Sequence, residues 1–87
     1  MEVFIYAKRE RKLDRDLLEE QIEEILGNDG LVTGAGSGQE GWNIDIQIYE
    51  NTQDLLTKIF QTLTQAGFTT EDYLVIDGKR QAPFTKI

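Results

Sequence analysis

Eighty-seven residues suffice for one domain and are too few for two, so 1–87 is expected to fold around one modest core. Sixteen acidic against nine basic residues give a formal charge of −7, which repels nucleic acid and anionic membranes and favours a basic partner. Histidine and cysteine are both absent, which removes disulfides, zinc-thiolate sites, thiol nucleophiles and the commonest neutral-pH general base.

Met1–Ala7 is charged too early to read as a signal peptide, and no apolar run approaches the ~20 residues of a bilayer span. With no cysteine, the composition suits a reducing compartment, and a soluble cytoplasmic protein is expected.

In chain order, residues 2–7 place apolar and aromatic side chains next to one another and are predicted as a central strand. A charged stretch, Lys8 to Lys12, leads to a helix. Asp14 is a suitable N-cap, with Leu13 and Leu18 at the two positions of a hydrophobic staple. Leu17, Leu18, Ile22, Ile25 and Leu26 form its apolar stripe, opposite Glu19, Glu20, Glu23 and Glu24. Gly27 ends that helix, and Asn28-Asp29-Gly30 is turn chemistry.

Leu31-Val32-Thr33 starts a second strand and runs into glycines at 34, 36, 38 and 41, expected to form a flexible hairpin or bulge. Trp42, Ile44, Ile46 and Ile48 then alternate with Asn43, Asp45, Gln47 and Tyr49, the period of a strand with one buried face. From Asn51 or Thr52 a second helix carries Leu55, Leu56, Ile59, Phe60, Leu63 and Ala66 inward, and Gly67 closes it beside Phe68. Tyr73–Ile76 is a fourth strand. Asp77-Gly78 is a hairpin dipeptide, which lets Arg80–Thr85 return as a short edge segment compatible with Pro83.

The order strand, helix, strand, strand, helix, strand predicts an α+β fold of the ferredoxin-like βαββαβ kind. Its four-stranded antiparallel sheet would have the order 4-1-3-2, with two helices on one face. The chain resembles the ferredoxin-like domains in architecture and not in motif. That group includes ligand-sensing regulators, dimeric open-sheet proteins, RNA-binding modules and small inhibitor proteins, so the resemblance implies a fold and no single function.

On this plan Val3, Ile5 and the Trp42–Ile48 set face the helices, while Phe4, Tyr6, Asn43, Asp45, Gln47 and Tyr49 look out from the open face. These six are the candidate partner-binding residues, for a second copy of the chain or another protein. A tail folded back with Phe84 would cover them. RNA-binding sheets also carry exposed aromatics, but no run here has the basic-and-glycine strand signature, and Asp45 sits mid-face.

The loop end offers a second candidate. Lys8, Arg9, Arg11, Lys12 and Arg15 flank the start of the first helix beside the glycine run. An anionic ligand could be held there by Arg9, Arg11 and Lys12, with Gly34, Gly36 and Gly38 allowing close backbone approach. Glu10, Asp14 and Asp16 oppose it. The glycine run leads into a strand, so it is no dinucleotide fingerprint, and it lacks a P-loop lysine.

Catalysis is the weakest reading. Ser37, the sole serine, has no assignable base, and pairing Asp45 with Tyr6 or Tyr49 is not required by any spacing. The acidic residues lack calcium-loop or inward carboxylate spacing, so no metal and no cofactor are expected. The expectation is a non-catalytic interaction or regulatory module acting through its open sheet face, with anion binding at the loop end as the alternative.

Overall fold

The computed structural model describes residues 1–8, 14–82 and 84. In chain order these form β1 (Glu2–Lys8), α1 (Arg15–Leu26), β2 (Gly30–Ser37), β3 (Gly41–Ile48), α2 (Thr52–Ala66), β4 (Tyr73–Ile76) and β5 (Lys79–Gln81). The fold is α+β, with two helices and one antiparallel sheet in the order β2-β3-β1-β4-β5. Beside the four expected strands, the short return segment expected after Asp77-Gly78 forms β5 along the outer edge of β4, at Lys79–Gln81. Asp77 (φ 48°) and Gly78 (φ 82°) both sit at positive φ, the conformation of a two-residue hairpin turn whose twist matches the strands.

Local chemistry sets the helix ends. The Asp14 carboxylate accepts from the Leu17 N–H at 3.1 Å, and Gly27 closes α1 by donating to the Glu23 carbonyl at 3.1 Å. Leu18, Ile22 and Leu26 are buried at helical spacing. Leu17, expected in the same stripe, lies one residue round from Leu18 and is 51% exposed. Leu13 lies outside the described residues. In α2 the buried set is Leu55, Leu56, Ile59 and Leu63. Gly67 at φ 108° lets Phe68 donate to the Leu63 carbonyl at 3.0 Å and enter the core.

The glycine run departs from expectation. β2 continues through it to Ser37, with a register shift between Val32 and Gly34 that makes Thr33 the bulged residue. Gly34 and Gly36 are extended strand residues, and the turn is confined to Gly38–Glu40. Glycine is required at Gly30 for a different reason: a Cβ there would stand 2.5 Å from the Gln47 carbonyl oxygen.

One buried cluster joins Val3, Ile5, Ala7, Ile44, Ile46, Ile48, Leu74 and Ile76 of the sheet to the inner residues of both helices. Each such side chain contributes roughly 1.5–3 kcal/mol by leaving water. Asp72 is wholly buried beside them, accepting from the Lys8 N–H and the Thr69 N–H, each at 2.9 Å. It ties the end of β1 to the turn before β4. Among the described residues no helix is long and apolar enough to cross a membrane.

The last described side chain settles where the tail is anchored. Phe84 is buried edge-on to Phe60 of α2 and to Phe68, with centroids 6.3 and 5.3 Å apart, and Phe68 packs in turn on Trp42. Phe84 therefore lies on the helix side of the sheet. Phe84 does not cover the open face.

Candidate functional site

Strand alternation and register determine what the helix-free face presents. Phe4 lies between Asp45 of β3 and Val75 of β4, and Val75 pairs with Arg80 of β5. One residue pair along, Tyr6 lies between Asn43 and Tyr73. On the β2 side, Gly34 pairs with Asp45 and Gly36 with Asn43. Two rows thus cross the sheet, Gly34–Asp45–Phe4–Val75–Arg80 and Gly36–Asn43–Tyr6–Tyr73.

The centre of this face is aromatic and layered. The rings of Tyr6 and Tyr73 stack with centroids 5.0 Å apart, and the Arg80 guanidinium carbon lies 3.8 Å above the Tyr73 ring. Phe4, Tyr6, Tyr73 and Val75 are all half-buried, which leaves a continuous apolar strip across β1 and β4. The β3 side is polar: Asn43 Nδ2 donates to Asp45 Oδ1 at 2.8 Å. The glycines give these two side chains room. A Cβ at Gly36 would come within 3.1 Å of Asn43 Oδ1, and one at Gly34 within 3.3 Å of Asp45 Oδ2.

At one end the face opens into a cleft of about 380 Å³, bordered by Tyr6, Lys8, Gly38, Gln39, Asn43 and Tyr73. The buried indole Nε1–H of Trp42, on the rim, has no hydrogen-bond partner among the described residues.

Five of the six candidate partner-binding residues, Phe4, Tyr6, Asn43, Asp45 and Gln47, are half-buried on this face. Tyr49 falls just beyond the end of β3, 58% exposed, with its N–H donating to the Asp29 carbonyl at 2.7 Å. Sequence reasoning missed Tyr73, Val75 and Arg80. The signal was the hairpin dipeptide: a two-residue turn at Asp77-Gly78 fixes Val75 opposite Arg80 and brings a cation onto the face.

Of the candidate anion-binding residues, Arg9, Arg11 and Lys12 lie outside the described residues. Gly34 and Gly36 sit on the open face beside a carboxylate and an amide oxygen, and Gly38 is in the β2–β3 turn. Among the described residues no three His, Cys, Asp or Glu side chains come together to hold a metal ion. Compared with known protein families, curated proteins and solved structures, the chain gave no match.

Proposed function

We propose that the chain is a non-catalytic interaction module of ferredoxin-like plan that binds protein through the open face of its sheet. The observation that carries this reading is the strip Phe4–Tyr6–Tyr73–Val75, capped by Arg80 and flanked by Asn43 and Asp45. Aromatic residues with an arginine at their edge are the side chains that concentrate binding energy at interfaces. A strip of this kind on a sheet face without helices is a surface for a partner. The cysteine-free composition fits a cytoplasmic setting.

The test is amide NMR on dilute isotope-labelled protein, with unlabelled chain and unlabelled cell extract added in separate experiments. Signals of β1, β3 and β4 around Phe4, Tyr6, Asn43 and Tyr73 are expected to shift or broaden. A Tyr73→Ser/Arg80→Ser variant should lose that response. Perturbation confined to α1 and α2, or none in either experiment, would refute the proposal.

A further inference from the structure

The charges that point to the two sides of the molecule are unequal. On its outer surface α1 carries Asp16, Glu19, Glu20, Glu23 and Glu24 against Arg15. The strand residues facing the open side carry Glu2 and Asp45 against Lys8 and Arg80, which balance. A strongly basic partner would be drawn to α1. With Glu40 and Glu71 lining the cleft at its end, the open face is mildly acidic, less so than α1, and suits a partner recognised by placed opposite charges rather than by net charge.

The positions of those charges narrow the choice further. Asp45 and Arg80 share one row, on β3 and β5, separated by β1 and β4. A two-fold axis parallel to the strands, passing between β1 and β4, exchanges β1 with β4 and β3 with β5. It places Asp45 of each copy opposite Arg80 of the other. The same axis sets Phe4 opposite Val75 and Tyr6 opposite Tyr73 of the second copy. Face-to-face sheets lie about 10 Å apart, a gap that a carboxylate and a guanidinium bridge from opposite sides. Within one chain neither Asp45 nor Arg80 makes an ion pair among the described residues. Arg80 lies instead on the Tyr73 ring, its guanidinium carbon 3.8 Å from the centroid, and a guanidinium held on an aromatic ring can still donate to a carboxylate.

We infer that the open face is a self-complementary interface on which a second copy of this chain docks about that axis, with two reciprocal Asp45–Arg80 pairs. This rests on the open-face reading above and names its occupant. About this axis only β3, β1, β4 and β5 of the two copies overlap, and β4 and β5 have four and three residues, so the overlapping sheet is roughly 220 Å² per copy at ~4.8 Å between strands and ~3.3 Å per residue. The total, about 440 Å², is below that of stable complexes, so the pair is expected to be weak and reversible rather than obligate. The acidic helices end up on the outer sides of the pair. Their separation is about 30 Å, several times the screening length of about 8 Å at physiological salt, so the −7 charge does not prevent association.

The experiment is sedimentation equilibrium from about 1 to 500 μM on the wild type, Asp45→Arg, Arg80→Asp, and an equimolar mixture of those two variants. The wild type should dimerise weakly, with a dissociation constant of about 100 μM, within the range of the titration. Each variant alone brings like charges together twice and should weaken dimerisation about tenfold or more. The mixture should form a heterodimer within about threefold of wild-type affinity, because both pairs are then restored. If either variant loses its far-ultraviolet circular dichroism, Asp45→Lys and Arg80→Glu replace them. A wild type monomeric to 500 μM, single reversals without effect, or a mixture no tighter than its components would each overturn the inference. The broader reading stays separable: a monomeric wild type whose β1, β3 and β4 amides respond to extract but not to added chain loses self-association and keeps the interaction face.

Discussion

Phe84→Ala tests whether Phe84 is anchored on the helix side rather than over the open face. Phe84 is 4% exposed and meets Phe60 and Phe68 edge-on at 6.3 and 5.3 Å. Truncating a buried phenylalanine costs about 3–5 kcal/mol, and the lower end applies where the surroundings can collapse. Phe60 is only partly buried, so this site borders solvent and about 3 kcal/mol is expected. For 87 residues the unfolding entropy is about 0.18 kcal/mol/K, so the melting temperature should fall by about 16 °C. That is a large share of the stability of a small domain.

Urea titration and thermal melts followed by circular dichroism measure it, with the denaturant slope unchanged. Phe84→Leu should keep most of the packing and lose less than about 1.5 kcal/mol. Aromatic NMR signals of Tyr6 and Tyr73 should stay in place in both variants, because Phe84 packs on Phe60 and Phe68 on the helix side. A loss below about 1 kcal/mol for Phe84→Ala, or moved tyrosine signals, would refute the placement.

Removing the Asp72 carboxylate by Asp72→Ala leaves the Lys8 and Thr69 amides without their acceptor in a buried site, and about 2–4 kcal/mol should be lost in urea titration. Asp72→Asn, which keeps one oxygen, should recover part of that. Gly30→Ala should cost more than about 2 kcal/mol by the same assay, because the obstructing atom is the Gln47 carbonyl oxygen and backbone yields little. Gly78→Ala meets open space but must hold φ near +82°, so a loss of only about 1 kcal/mol is expected in thermal melts.

Where the sequence speaks through periodicity or capping, the elements are legible. The Trp42–Ile48 alternation gives β3 and its buried face, Asp14 and Gly27 bracket α1, and Gly67 with Phe68 closes α2. What periodicity does not carry was misplaced. Glycines 34, 36 and 38 suggest flexibility because glycine has weak strand propensity, yet β2 runs on through 34 and 36 where Asp45 and Asn43 need the space of the missing side chains. That reason is visible only once β2 is paired with β3. Phe84 reads as a residue of a tail that could cover the open face, and its neighbours Phe60 and Phe68 place it on the helix side instead. Asp72 looks like any turn aspartate until β1 arrives to donate to it. The open face was half legible: β1 and β3 show by alternation, whereas β4 is too short for a period and β5 follows only from the turn geometry.

Total charge and local charge give different answers about a partner. A formal −7 points to a basic protein, and long-range steering would follow that sign. The steering charges, however, sit mainly on α1, on the far side of the sheet from the stacked tyrosines. A polycation recruited by them would occupy the outer surface of α1 and leave Tyr6, Tyr73 and Arg80 accessible. The docking proposed for the open face would depend instead on apolar contact and on the alignment of two opposite charges in one row. The two modes should not compete. Adding a basic peptide should therefore shift α1 amides while the dimer constant stays the same, and displacement of the dimer by such a peptide would place the basic partner on the sheet face itself.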